Sequence, residues 1–144
     1  MSLETAYNPD NIFGKIIRGE MTCTKIFEDE NLLAFMDVFP QSDGHCLIVH
    51  KNAPTTNLLD IEPAALAELT AGLQKLARAV RTGLSPDGVR VAQFNGAPAG
   101  QTVFHLHFHV IPVYEGESLG AHAEGGPADS DALEATAAKI RAAL

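Results

Sequence analysis

Apolar positions change their spacing several times along the chain, and each change marks an element. Ile12, Phe13, Ile16 and Ile17 follow helical intervals between Asp10 and Arg18, with Gly19 as the stop. Two β-type runs follow, Thr24–Glu28 and Leu32–Asp37, separated by the polar turn Asp29-Glu30-Asn31. Pro40 to Gly44 reads as a loop, His45–His50 as a third strand, and Asn52 to Asn57 as another loop. Leu66, Leu69, Leu73, Leu76 and Val80 make one stripe on a long helix, starting near Pro63 and ending at Gly83. Gly72 inside that helix implies a close packing contact, within the chain or across a dimer.

Val89–Asn95 alternates as a strand, and Val103–Val113 as a second one after the small-residue turn Asn95–Gln101. Leu133, Ala137, Ile140 and Leu144 line one face of a last helix over 131–144. Ser130 or Asp131 would cap it, and Asp131 with Glu134 has capping-box spacing. Strands grouped with helices outside them predict an α+β fold with an antiparallel sheet.

A chain of 144 residues suits one domain over 1–144, with a flexible N-terminus at 1–9 and a Gly- and acid-rich loop segment at 115–130. No apolar run approaches the roughly 18 residues that span a bilayer, and no secretory signal opens the chain, so a cytoplasmic protein without membrane partners is expected. The net charge of −8 opposes nucleic-acid binding, which needs a basic footprint. A small anion held by a local pocket of donors is still compatible with that charge. Cys23 and Cys46 lack zinc spacing and read as buried thiols.

The chemistry concentrates in His105-Leu106-His107-Phe108-His109. On a strand the three histidines share one face, about 6–7 Å apart, with Phe104, Leu106, Phe108 and Val110 toward the core. A single histidine on a sheet is usually solvated, but three on one face have no packing rationale. A metal site is one reading, with His45, His50 or His122 as the third ligand and Asp37 as a nearby acid. The whole row spans about 13 Å, too far for one ion. The other reading is attack at phosphorus: a neutral imidazole is a competent nucleophile, and flanking imidazoles can donate to phosphate oxygens. The turn Gly96–Gly100, followed by Gln101 and Thr102, supplies backbone, amide and hydroxyl donors for an anion, which favours phosphate.

The run Gln93–Pro112 resembles the signature of the histidine triad nucleotide hydrolases and transferases. Asn11–Glu20, Leu33–Asp37 and Gly44-His45 also fit that family, in order, over about Asn11 to Tyr114. The resemblance implies a five-stranded antiparallel sheet with one long and one or two shorter helices, and a homodimer formed through the long helix and a strand. It implies that His107 is the nucleophile, His109 binds phosphate, His105 orients the site and His45 is the fourth histidine near the triad. Gln101, Thr102 and Asn95 would contact phosphate or the leaving group, and Asp37 the ribose hydroxyls. Ile12, Phe13, Ile16, Phe35 and Val38 would wall the base pocket, or else form plain core.

The chain departs from the family at Asn11-Ile12-Phe13-Gly14, where many bacterial relatives carry Cys-x-x-Cys, and at Ala53, where they carry His. Those losses imply that an accessory zinc site is absent, and the chemistry needs no cofactor. His50 stands where the family usually has Pro and is expected at the surface or a strand end. Val113 stands where Arg is common after the Ile-Pro pair. His109, rather than the Gln of the galactose-1-phosphate uridylyltransferase branch, favours hydrolysis. The expected activity is cleavage at the α-phosphate of a purine nucleoside monophosphate conjugate, through a nucleotidyl-histidine. The alternatives are a nucleotide-binding regulatory module and, third, a metalloenzyme.

Overall fold

The computed structural model describes residues 3–120 and 126–144. It has helices α1 (Ile12–Ile17), α2 (Pro63–Leu84) and α3 (Ser130–Arg141), with strands β1 (Lys25–Glu28), β2 (Leu32–Met36), β3 (Cys46–His50), β4 (Gly88–Ala92) and β5 (Phe108–Val113). The strands form one sheet in the order β1-β2-β3-β5-β4, and every neighbouring pair is antiparallel. The expected α+β class and five-stranded antiparallel sheet are therefore present. No helix among the described residues is long and apolar enough to cross a membrane.

Both faces of the sheet are covered at β2 and β3, which explains why these strands read as continuous apolar runs rather than alternating ones. Leu32, Ala34, Met36, Cys46 and Ile48 join Leu69, Leu76 and Val80 of α2 and Leu133, Ala137 and Ile140 of α3 in the main core. The alternate residues Leu33, Phe35, Leu47 and Val49 meet Phe13 of α1 on the opposite face. Fully burying one of these Leu side chains stabilises the fold by about 1.5–3 kcal/mol.

Several boundaries depart from the pattern-based expectation. α1 is shorter than predicted because Asn11 caps it, accepting from the Gly14 amide at 2.8 Å. Gly83 does not stop α2. The left-handed turn falls at Ser85 (φ 50°), and Gly83 instead lets α3 approach: a Cβ there would lie 2.6 Å from the Lys139 carbonyl oxygen. Gly72 likewise packs beneath Leu32 and Ile48 of its own sheet, so it offers nothing to a dimer contact. Asp129, not Ser130 or Asp131, caps α3 by accepting from the Ala132 amide at 3.0 Å. Leu144 is exposed rather than part of the apolar face.

The contact at Gly83 gives a stability prediction. Gly83→Ala gains helix propensity of about 1 kcal/mol but must push a backbone carbonyl, and overpacking costs about 1–3 kcal/mol. We expect a net lower urea midpoint for Gly83→Ala. Gly72→Ala, which meets only flexible side-chain ends, should lose less in the same measurement.

Tyr7 donates to His105 and Thr56 donates to the Thr5 carbonyl at 3.3 Å, so residues 5–7 are tied to the body. Within 115–130, Gly120 bonds Gln41 and Ala128 bonds Val38 through backbone groups, and no helix or strand forms among its described residues before Ser130.

Candidate active site

The histidine run is not one strand. Pairing of β5 begins only at Phe108, opposite Ile48, so the expected strand Val103–Val113 is shortened to Phe108–Val113. Two imidazole bonds to carbonyls and one backbone bond to the Thr55 loop replace the ladder before that point. The His105 ring reaches the His50 carbonyl at 3.3 Å, His107 Nδ1 reaches the His105 carbonyl at 2.7 Å, and the Leu106 amide donates to Thr55 at 2.9 Å. The histidines consequently do not share one face. His107 and His109 line a cavity with ring centroids 5.0 Å apart, whereas His105 is buried behind them against Tyr7. Leu106 and Val110 sit in the core as expected, with Phe108 against it and Phe104 half-buried.

The hydrogen-bond partners assign a tautomer to each ring. His107 Nδ1 faces a carbonyl oxygen, so it carries the proton and Nε2 holds the lone pair. His105 Nε2 also faces a carbonyl and donates, which leaves Nδ1 to accept from the Tyr7 hydroxyl at 2.7 Å. Burial holds the neutral form of His105 and lowers its pKa to about 4; the hydrogen bond to the His50 carbonyl opposes that shift, and the charges of the His107 and His50 rings add to it.

A second relay runs from Gly44. Its φ of 102° and its approach to Leu84 and Pro112 exclude a side chain, and this turn delivers His45 to the start of β3. His45 Nδ1 accepts from the Gln41 amide at 3.0 Å, so neutral His45 carries its proton on Nε2. That nitrogen lies 2.9 Å from His109 Nδ1 and 3.4 Å from Asp37 Oδ2. Donation to His109 Nδ1 leaves His109 with its proton on Nε2. Asp37 is held by the Phe39 amide, which donates to Oδ1 at 2.8 Å.

The cavity has a volume of about 360 Å³, at the scale of small-ligand sites. Ile12, Phe13, Ile16, Phe35 and Val38 all line it, so the choice between pocket wall and core is not exclusive: Phe13 and Phe35 are both. Asp37, Thr102, His107 and His109 supply its polar edge. Sequence reasoning missed Thr22, Cys23, Met36, Phe39, Leu47 and Val103 as lining residues. The apolar stretch around Phe35 could have signalled some of them, but nothing local marks Thr22 or Cys23. Cys23 is half-buried, and burial raises its pKa; Cys46 is fully buried.

Two expected phosphate contacts lie elsewhere. Gln101 is buried, accepting from Gly96 at 2.8 Å and donating to the Thr56 and Val103 carbonyls at 2.6 and 3.1 Å. Asn95 accepts from the Leu58 amide at 2.9 Å and pairs with Gln93. Neither lines the cavity. The amides of Gly96, Ala99, Gly100 and Gln101 donate within the turn, so its backbone is self-satisfied rather than a nest for an anion. His50 ends β3 as expected but is buried, with Nε2 3.4 Å from Glu68.

Asp37, His45 and His109 are also a candidate metal group, with ligand atoms within 4.8 Å of one another. Their wiring does not fit an ion. A metal-bound histidine donates its other N–H outward, but His45 Nδ1 accepts there, which puts the proton on the nitrogen facing the group. Of the accessory zinc positions, Asn11 is occupied as a helix cap, and a Cβ on Gly14 would lie 2.8 Å from the Pro9 carbonyl oxygen. His122 lies outside the described residues.

A family model described as the HIT domain matches residues 18–116. The protein Hit of Bacillus subtilis is 38% identical over 111 residues, covering 76% of each chain. An adenylylsulfatase of Arabidopsis thaliana is 38% identical over 113 residues, covering 78% of this chain and 56% of that one. A HIT-like protein of Bartonella henselae, described as involved in cell-cycle regulation, superposes with a TM-score of 0.91 at 43% identity. That match covers 97% of this chain and all (100%) of that one. A zinc-bound histidine triad family protein of Mycobacterium smegmatis superposes with a TM-score of 0.79 at 36% identity, over 93% and 92% of the two chains. With two rings lining the cavity, two behind them and a family match across most of its length, this chain belongs to the HIT domain family.

Proposed function

We propose that the protein hydrolyses nucleoside monophosphate conjugates at the α-phosphorus, through a covalent intermediate on His107. The observation that carries this reading is the 2.7 Å bond from His107 Nδ1 to the His105 carbonyl. It fixes the lone pair on Nε2, in a ring that lines the cavity. As Nε2 bonds to phosphorus the ring becomes cationic, and the carbonyl dipole at Nδ1–H stabilises that charge.

His109 Nε2–H serves as a hydrogen-bond donor, either to a phosphoryl oxygen or to the leaving amine, acyl oxygen or phosphate, and keeps its proton. His45 Nε2–H, facing Nδ1, holds the His109 ring in that tautomer. The leaving group takes the proton it needs from solvent water, and the water that later attacks phosphorus returns one to solvent. Water displaces His107 and the nucleotide leaves as a monophosphate. Thr102 is the phosphate contact at the cavity edge, and Asp37 accepts from ribose hydroxyls. The apolar walls recognise a purine by area rather than by paired hydrogen bonds. The named activity of the Arabidopsis relative, on an adenylyl–sulfate bond, is of the same class.

Release of AMP from an adenosine phosphoramidate, in the presence of chelator, tests the reading. Tight AMP binding without release would instead favour a binding module, and activity that needs added zinc a metalloenzyme.

The homodimer implied by the family resemblance is also proposed. Support comes from β4, an edge strand with Val89 and Val91 exposed and Phe94 exposed just beyond it. Light scattering should give the mass of two chains, and Val91→Arg should shift it toward one.

A further inference from the structure

We infer that Tyr7, in the N-terminal segment, is a positioning residue for the nucleophile, acting through His105. Nothing in the local sequence marks it, since it stands 98 positions from its partner. Its hydroxyl donates to His105 Nδ1 at 2.7 Å, and its ring packs edge-on against the same imidazole with centroids 5.5 Å apart. The opposite nitrogen of His105 donates to the His50 carbonyl at 3.3 Å. His105 is thus clamped at both nitrogens, in a site where it is 2% exposed. Its own carbonyl is the atom that receives His107 Nδ1–H at 2.7 Å.

The chain of contacts therefore runs Tyr7 hydroxyl, His105 ring, His105 carbonyl, His107 Nδ1, His107 Nε2. Removing the hydroxyl leaves a buried acceptor without its donor, and such a ring relieves the loss by rotating about χ1 or χ2. Either movement shifts the peptide that sets the aim and protonation of His107. Tyr7 does not line the cavity, so the nucleotide's own contacts stay intact. The effect falls on the chemical step and not on binding.

This inference rests on the reading of His107 as nucleophile, and the test separates the two. Tyr7→Phe keeps the aromatic ring and removes only the donor. We expect kcat for an adenosine phosphoramidate to fall roughly tenfold with KM unchanged. The 15N resonance of His105 Nδ1 should move toward that of an acceptor without a hydrogen bond. A fluorotyrosine at position 7, a stronger donor of nearly the same shape, should move that resonance the opposite way and retain kcat. A merely structural tyrosine would lower the unfolding temperature while leaving kcat and the His105 resonance of the folded enzyme unchanged, and that result overturns the inference. Should the unaltered chain turn over no nucleotide conjugate, the functional reading fails by itself. The resonance shifts then still decide whether Tyr7 holds His105.

Discussion

His107→Ala is expected to lose at least about 10⁴-fold in turnover of an adenosine phosphoramidate, because the bond-forming atom is gone. Binding of AMP should persist, since the apolar walls, Asp37 and Thr102 are untouched. The fold should persist too: the His107 side chain lines the cavity and contributes one bond to a local carbonyl, with Phe13 edge-on to its ring at 4.9 Å. Steady-state kinetics beside AMP titration calorimetry make the check. Retained turnover in a folded His107→Ala variant would remove the nucleophile assignment.

His105 gives the second large effect, on stability rather than turnover. Its pKa is about 4 in the fold, against about 6.5 for an unfolded imidazole, chiefly through burial. Between those two values the unfolded chain binds a proton that the folded chain does not. Stability therefore falls as the pH drops from about 6.5 to about 4, and this contribution levels off below. The difference corresponds to about 3 kcal/mol at most. Urea unfolding at pH 7, 5.5 and 4 should show the loss, and His105→Asn, which cannot titrate, should show a shallower one. Equal slopes in the two proteins would mean that His105 is not held neutral by the fold.

The elements whose signals are local were legible in the sequence. Pro63 marked the start of α2, and the runs at Leu32 and Cys46 marked strands even though burial on both faces hid their alternation. What local pattern could not supply was competition between elements. The alternation of His105 to Val113 is a strand signal throughout, yet only Phe108–Val113 finds strand partners, β3 beside Phe108 to Val110 and β4 beside His109 to Val113. The preceding residues bond through two imidazoles and the Leu106 amide instead. Gly83 looked like a helix stop because a glycine near a helix end usually is one, but the approach of α3 explains it better.

The site shows the same division. The histidines, Asp37 and the apolar wall were evident from residue type and order, and the cavity brings most of them together. Gln101 and Asn95 carried the right functional groups for phosphate, but their side chains brace the turns around Gly96 and Leu58. Their part is to build the loop that leads into the histidines. Tyr7 was invisible because its role exists only after the N-terminal segment has folded back over His105.

Intact-mass analysis of a rapidly quenched reaction, followed by peptide mapping, tests the central claim most directly. With an adenosine phosphoramidate as substrate, the protein should gain one adenylyl group during turnover, acid-labile and located on His107. Turnover without such an adduct under conditions that trap phosphohistidine, or an adduct on another residue, would contradict the account.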